Sequence, residues 1–338
     1  MLVVRIVELQ GNNFAFGLQQ SEEIIHTHLI KQHGFLKNLS AHSNVKKAKA
    51  LLQVHSPNIL EELGGLAKGL DMELGTIIRL YSGYDVDFPT MGCTAYINND
   101  YYVRNYDFSP ELYDARLVFS NPINGYASVG FSQQVIGRLD GMNEKGLVVG
   151  LHFVNNEHKG EGFLATTIVR ILLEQCCSIK EAIELISTIP HGFCYNYSIT
   201  DLSGEGVVVE ATPEKQVVHF NNPLICTNHF EAEVLQRKNR EDVQGSIKRK
   251  EYLGSILTEK ISPITAYQHF NDGNSPLFFK YYKEYFGTLH TVVYLPKELS
   301  VIIGVGENCK PIKLSLRKYL DGTNNLPKVI KGRINQKV

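Results

Sequence analysis

Hydrophobic and polar positions alternate from Leu2 to Glu8 and predict a strand. Helical patterning follows up to about residue 90. Ser56-Pro57 reads as an N-cap with proline at the first helical position, opening Asn58-Ile59-Leu60-Glu61-Glu62-Leu63. Gly64-Gly65 and Gly69 interrupt this helix or end it near Leu70. A second helix is predicted from about Glu73 to Tyr84, and Asp85 to Thr90 breaks regular structure. At Cys93 the period becomes that of a strand. Cys93–Ile97 and Tyr101–Phe108 flank Asn98-Asn99-Asp100, a good hairpin turn. Further strands are predicted over 115–120, 126–131 and 147–154. Helices return over 163–177 and, behind a Ser178 cap, to Thr188. Strands resume over 195–200, 206–211, 216–220 and 224–227. Helical patterns occupy 231–257 and 262–270, and strands over 290–295 and 299–305 come last.

Blocks of strands separated by blocks of helices argue for stacked layers around a shared core, as two sheets with helices on both outer faces. No repeat, low-complexity linker or shift in composition marks a domain boundary, so residues 1–338 read as one domain.

Composition adds mostly exclusions. The chain has 338 residues, 43% hydrophobic and 20% charged, with a net charge of −1. That is ordinary for a globular protein and offers no electrostatic reason to expect nucleic acid or an anionic membrane as partner. The basic stretch Lys328–Lys337 reads as a solvated tail. No apolar run approaches the about 20 residues a membrane span needs. The N-terminus lacks a signal peptide's apolar core and cleavage site. A cytoplasmic location is the expectation, and the oligomeric state stays open, a homo-oligomer included. The six cysteines, at 93, 176, 177, 194, 226 and 309, show no Cys-x-x-Cys pair or disulfide-scaffold spacing. His191 with Cys194 lacks the companion pair a zinc site needs. Gly64-Gly65-Leu66-Ala67-Lys68-Gly69 lacks the ending of a phosphate loop. Neither a metal nor a cofactor is expected.

Candidate chemistry centres on Cys93, in Met91-Gly92-Cys93-Thr94-Ala95. A lone cysteine is most simply a small core hydrophobe. Arg104 and Asp107, returning on the next strand, give it a second meaning. Cleavage of the Gly92–Cys93 bond would give Cys93 a free α-amine, which can act as base for its own thiol. Arg104 would then favour the thiolate and lower its pKa, and Asp107 would accept hydrogen bonds from the new amine. The Arg-x-x-Asp spacing places the two side chains on opposite faces of a regular strand, unless a bulge or strand end intervenes. The plain alternative is a surface arginine and a strand-end aspartate.

Four segments occur in a telling order: Gly92-Cys93-Thr94, Arg104-Asn105-Tyr106-Asp107-Phe108, Asp140-Gly141-Met142-Asn143-Glu144-Lys145-Gly146-Leu147 and Cys226-Thr227-Asn228-His229-Phe230. Together they resemble the choloylglycine hydrolase and penicillin V acylase superfamily of N-terminal-nucleophile (Ntn) hydrolases. The nearest branch is that of acyl-coenzyme A:isopenicillin N acyltransferase, peptidase family C45. The resemblance runs from about Gly17 to about Gly306. It implies an α+β fold, a four-layer αββα sandwich with two mainly antiparallel sheets between helical layers. It also implies a cysteine amidohydrolase that cleaves a linear amide of a small N-acyl compound through a Cys93 thioester, or an acyltransferase passing the acyl group to an amine. Cys93 matches the nucleophile, and Arg104 and Asp107 match the family's Arg and Asp. Asn228 matches the side-chain amide of the oxyanion hole, Asn143 a second polar position lining it, and Arg249 a distal active-site arginine, with Arg237 and Arg240 nearby. The long segment ahead of Cys93 implies a self-cleaved proenzyme with chains 1–92 and 93–338.

Bland readings stand beside these. Asn143 before Glu-Lys-Gly is also good turn chemistry, Asn228 can simply end a strand, and Asn196 packs or lines the pocket. Tyr96, Tyr102, Tyr106 and Phe108 either wall an apolar acyl pocket or belong to the core. Two rival functions remain: an uncleaved Cys/His hydrolase using His290 or His229, and a degenerate relative that only binds small molecules.

Overall fold

The computed structural model describes residues 1–221, 223–256 and 261–335. Residue 257, at the end of one helical pattern, and residues 336 and 337 of the basic stretch lie outside the described residues.

Two sheets stack face to face. In the ten-stranded sheet the order is Gln216–Asn221, Gly206–Ala211, Cys194–Thr200, Val148–Asn155, Asp140–Asn143, Ser128–Gln133, Arg116–Pro122, Leu2–Gly11 and Val329–Gly332, with Gly137–Arg138 paired beside Ser128–Gln133. The seven-stranded sheet runs Leu224–Cys226, Gly92–Ile97, Tyr102–Phe108, Phe286–Leu295, Ser300–Val305 and Ile312–Ser315, with Lys280–Tyr281 added to Phe286–Leu295. Pairing between these strands is antiparallel except between Leu2–Gly11 and Arg116–Pro122. Helices that include Pro57–Gly69 and Ala165–Gln175 cover the larger sheet and share its core cluster. Gln244–Ile256 and Pro263–Asn271 cover the smaller one. Their Leu253, Ala266, Tyr267 and Phe270 pack on Tyr96, Val103, Val293 and Ile302. The result is the expected α+β sandwich of four layers.

The helix at Pro57 begins as expected, with the Ser56 side chain accepting from the Ile59 N–H. It continues through Gly64-Gly65 to Gly69. Interior glycines cost a helix about 1 kcal/mol each relative to alanine, and tertiary contact explains Gly65. A Cβ on Gly65 would stand 1.9 Å from the Phe14 carbonyl oxygen, and one on Gly17 would stand 2.0 Å from that of Glu62. The glycines let Asn13–Ile25 and Pro57–Gly69 cross at backbone contact.

The expected solvated tail is a correction. Val329–Gly332 pairs antiparallel with Leu2–Arg5 and buries Ile330. Four residues, Val329-Ile330-Lys331-Gly332, carry too little pattern to predict a strand. The edge of a sheet supplies the ladder that makes one.

The Cys93 hairpin matches its prediction. Gly92–Ile97 and Tyr102–Phe108 pair in register, with Cys93 opposite Tyr106 and Gly92 opposite Asp107. Both strands are buried throughout, between the large sheet and the outer helices.

Candidate active site

Cys93 is fully buried at the start of its strand. Its Sγ receives a hydrogen bond from Arg104 Nη2 at 2.8 Å. The rest of that guanidinium is anchored in the facing sheet. Nη2 also donates to the Leu151 carbonyl at 2.9 Å, and Nη1 donates to the Leu139 carbonyl at 2.6 Å and to Asp140 Oδ2 at 2.9 Å. Asp140 is held in turn by the Tyr294 hydroxyl. Burial alone would push the Asp140 carboxyl up, but Arg104, His290 and Tyr294 hold it below its ordinary range. Arg104 is thus a fixed charge, aimed at the thiol by the larger sheet.

Asp107 lies on the other face of the strand. Its Oδ1 accepts from the Thr288 hydroxyl at 2.6 Å, and Arg249 Nη1 stands 3.5 Å from its Oδ2. The carboxylate packs on Gly92, where an added Cβ would come within 3.0 Å of Asp107 Oδ2 and 2.7 Å of the Phe286 ring. Only glycine lets the carboxylate lie this close to the Gly92–Cys93 bond. Burial pushes the Asp107 acid up to about 6, with Arg249, Thr288 and Arg104 opposing the shift.

Asn228 closes the group. The Cys93 N–H donates to Asn228 Oδ1 at 2.9 Å, and Asn228 Nδ2 donates to the Phe153 carbonyl at 2.8 Å. The helix Gln244–Ile256 holds this residue twice. Ser246 Oγ accepts from the Asn228 N–H at 2.7 Å, and Arg249 Nη2 donates to Asn228 Oδ1 at 2.9 Å. Ser246 and Arg249 lie one turn apart on one helix face, as this double hold requires. Arg249 Nη1 also reaches Thr94 Oγ1 at 2.8 Å and the Cys93 carbonyl at 3.2 Å. Among the three candidate arginines the structure selects Arg249. Arg237 is exposed, and half-buried Arg240 is near enough for its charge to act on Arg249 but is not among the residues that hold Cys93, Asp107 or Asn228.

Cys93, Arg104, Asp107, Asn228 and Arg249 therefore come together, and Asn143 does not. Asn143 Nδ2 donates to the Leu173 and Cys176 carbonyls at 2.9 and 2.7 Å, at the C-terminus of Ala165–Gln175. Its Oδ1 accepts from the Lys145 and Leu147 N–H groups. Its hydrogen bonds go to a helix end and its own turn, the arrangement a turn role expects. Asn196 holds the Thr227 and His229 carbonyls, at 3.3 and 2.8 Å, and so braces the loop bearing Asn228.

Sequence reading overlooked His152. It lies between Leu151 and Phe153, whose carbonyls hold Arg104 and Asn228. Alternation along the strand puts it on the face of Gly150, where a Cβ would meet Tyr102 Oη and Arg104 Nη1. Its ring is buried. Nε2 pairs with Ser198 Oγ at 2.8 Å, and Nδ1 has no hydrogen-bond partner. Burial, reinforced by the Arg104 charge, holds its pKa well below 6.5. It is therefore a neutral imidazole, able to offer one N–H. The only prior signal was a polar residue within the otherwise apolar Val148–Val154.

The two histidines considered as thiol partners are engaged elsewhere. His290 Nδ1 pairs with Tyr113 Oη at 2.8 Å, its Nε2 faces Asp140 at 3.6 Å, and its ring stacks on Phe131. His229 Nδ1 pairs with Ser246 Oγ at 2.8 Å, and its Nε2 lies 3.7 Å from Glu231. Arg104 was expected to lower the thiol's pKa. In the uncut chain burial outweighs it and pushes the Cys93 thiol up to about 11, with Asp107 adding to the rise. The Tyr106 and Phe108 rings stack with Tyr113, His290 and Phe88 in the core.

Among the described residues no helix is long and apolar enough to cross a membrane. A cavity of about 820 Å³ lies beside Ile225, His229, Lys250 and Gly254 and is lined by none of the five clustered residues.

The family model for acyl-coenzyme A:6-aminopenicillanic acid acyl-transferase matches residues 95–310. None of the curated proteins compared with the chain matches it. Among solved structures, a mutant of the conjugated bile acid hydrolase from Clostridium perfringens is 16% identical. It covers 74% of this chain and 99% of its own, with a TM-score of 0.49. Penicillin V acylase from Agrobacterium tumefaciens is also 16% identical, covering 67% of this chain and 86% of its own, with a TM-score of 0.44. A Caenorhabditis elegans ortholog of N-acylethanolamine-hydrolyzing acid amidase is 13% identical, covering 60% and 93%, with a TM-score of 0.35.

Proposed function

The chain belongs to the acyl-coenzyme A:6-aminopenicillanic acid acyl-transferase family, and from that premise we propose that it is a self-processed cysteine amidohydrolase acting on a linear amide of a small N-acyl compound. One observation carries this reading. The two reactive atoms of Cys93 have separate, fully buried partners, Arg104 at the thiol and Asn228 at the backbone nitrogen. Any buried residue needs a partner for its N–H, but a structural core cysteine needs no buried guanidinium at its thiol.

Processing comes first. Cys93 Sγ attacks the Gly92 carbonyl carbon, the C–N bond breaks, and the Gly92 acyl group passes to sulfur while the α-amine takes a proton. Water then cleaves this thioester. Gly92 leaves as a carboxylate ending chain 1–92, and Cys93 begins chain 93–338 with a free thiol. The close packing of Gly92 on Asp107 puts a carboxylate beside the nitrogen that becomes the amine.

Catalysis repeats the chemistry on a substrate amide. An ordinary thiol near pKa 8.5 and an α-amine near 7.7–8.0 exchange a proton at little cost around neutral pH. The freed thiol gains solvent and a nearby cation, which reverses the burial that raises it in the uncut chain. The thiolate attacks the amide carbon. Asn228 Nδ2 has a second hydrogen besides the one given to Phe153, and it donates this to the developing oxyanion. His152 supplies the second donor in place of Asn143. The α-ammonium protonates the leaving amine, and water resolves the thioester to the free acid. Arg249 orients Asn228 and Asp107.

The family's name supports a second reading, in which an amine resolves the thioester and the acyl group is transferred. Intact-mass analysis of purified protein, followed by a panel of N-acyl amides with and without an amine acceptor, tests both. A chain that stays at full mass yet turns over amides would remove the α-amine from the mechanism.

A further inference from the structure

The helix Gln244–Ile256 faces two ways. On one face Ser246 and Arg249 hold Asn228. On another Ile247, Lys250, Glu251 and Gly254, three or four residues apart, line the cavity of about 820 Å³. That volume lies in the usual range for a small-molecule site. The cavity is completed by Ile225 of the edge strand Leu224–Cys226, by Phe230, and by the loop that carries Arg240 and Val243.

The charges on this lining are unevenly matched. Lys250 is paired with Glu231, and Glu231 also lies 3.7 Å from His229 Nε2. Glu251 is exposed to solvent. Arg240 is half-buried, and its buried Nε has no hydrogen-bond partner among the described residues. Burial lowers the pKa of this guanidinium from its ordinary value, with the exposed Asp242 opposing the shift. A desolvated N–H without an acceptor is costly until an acceptor reaches it. Beside it Ile225, Phe230, Val243 and Ile247 give the cavity an apolar surface. The lining therefore suits a ligand with one anionic head and an apolar body.

We propose that this cavity is a second ligand site, distinct from the group around Cys93, and that it takes a monocarboxylate with an extended apolar body, its carboxylate on Arg240 and its body along Val243, Ile247 and Gly254. The site uses none of the residues assigned to catalysis, so it goes beyond the proposed amidohydrolase activity and does not depend on it. A guanidinium fork matches a carboxylate with two parallel N–H donors. A Cβ added at Gly254 would meet nothing within 4 Å, so that part of the helix face leaves room for the far end of the body.

Isothermal titration calorimetry of the purified full chain with sodium hexanoate, sodium decanoate and decylammonium chloride tests the site. Decanoate should bind about ten-fold or more tighter than hexanoate, from the added methylenes set against apolar surface. Decylammonium, which Arg240 repels, should bind about ten-fold or more weaker than decanoate. Arg240→Gln should weaken decanoate by about ten-fold or more and close most of the gap to decylammonium. Gly254→Leu, which fills the cavity from the helix, should weaken decanoate by a similar factor. It serves as the independent variant, because leucine favours a helix over glycine and no neighbour opposes the added Cβ. Cys93→Ala should keep the Arg240-dependent binding of decanoate. Equal affinity for decanoate and decylammonium, or decanoate binding untouched by both cavity variants, would overturn the site. Loss of decanoate binding in Cys93→Ala would put the carboxylate in the catalytic group and overturn it too. None of these titrations reads turnover, so a chain that hydrolyses no amide would end the proposed function and leave the ligand site to be judged on binding alone.

Discussion

Arg104 and Asp107 stand on opposite faces of one strand, Arg104 against the Cys93 thiol and Asp107 against Gly92. Arg104 meets the thiol from the space between the sheets, at 2.8 Å. Asp107 lies under Gly92 on the face turned to Arg249 and Thr288. In the proposed mechanism this spacing lets Arg104 serve the thiol and Asp107 the amine of the same residue.

Processing should depend on both groups. Cys93→Ala should migrate as one full-length band where the wild type gives two. Because burial holds the thiol near 11 in the uncut chain, the thiolate fraction rises about ten-fold per pH unit below that value. The cleavage rate measured from pH 6 to 9 should climb accordingly, and a flat profile would mean that another group limits the step.

Asp107→Asn should abolish most turnover and keep the fold. The sign of its pH effect follows from its raised pKa. The folded value is about 6 against an ordinary value near 3.9, so the folded state binds the proton more tightly. Ionised Asp107 therefore weighs against folding above pH 6, and this penalty fades as pH falls from about 6 to 4. Thermal melts at pH 8 should show Asp107→Asn melting close to the wild type, with lost activity. A large drop in Tm would reassign Asp107 to a structural role through Arg249 and Thr288.

Asn228 and Asn143 should separate cleanly. Asn228→Ala should lower kcat by ~10²–10³, the usual effect of removing an oxyanion donor, with KM less affected. Asn228→Asp should be at least as poor, since a carboxylate repels the oxyanion. Asn143→Ala should lose ~1–3 kcal/mol of stability, because it leaves the buried Leu173 and Cys176 carbonyls without their donor. Folded Asn143→Ala enzyme should keep its kcat. The reverse pattern would exchange the two roles.

His152→Asn retains an N–H donor and should keep turnover within about ten-fold of the wild type. His152→Phe fills similar space without a donor and should lose ~10² in kcat. The pKa of His152 is held well below 6.5, so the acid limb of the pH–rate profile should not move in either variant. A shifted limb would make His152 a titrating base instead of a neutral donor.

Asp140→Asn removes the counter-charge of Arg104 inside a sealed interface. Breaking a buried pair in this way costs ~3–5 kcal/mol, and the guanidinium should lose its aim at Sγ. A denaturant midpoint unchanged from the wild type would show that the Leu139 and Leu151 carbonyls suffice to hold it.

Periodicity alone carried much of the architecture. The Cys93 hairpin, its Asn98-Asn99-Asp100 turn, the Ser56 and Ser178 caps and the strand-then-helix blocks depend on neighbours in the chain, and such contacts are written locally. The order of short motifs also pointed to Cys93, Arg104, Asp107 and Asn228 and to the family. Other features were decided only by contacts between distant segments. Val329–Gly332 is a strand because the edge at Leu2–Arg5 is open to it. Gly65 stays helical because Phe14 and Gly17 press against it. Asn143 and His152 are both polar strand residues, the first just before a turn and the second in an apolar run. Which of them faces Cys93 depends on how the two sheets stack, and that stacking turns Asn143 toward a helix end and His152 toward the thiol's strand. An asparagine or histidine can satisfy its hydrogen bonds in either setting, so residue type could not decide between them; the geometry of the partners did.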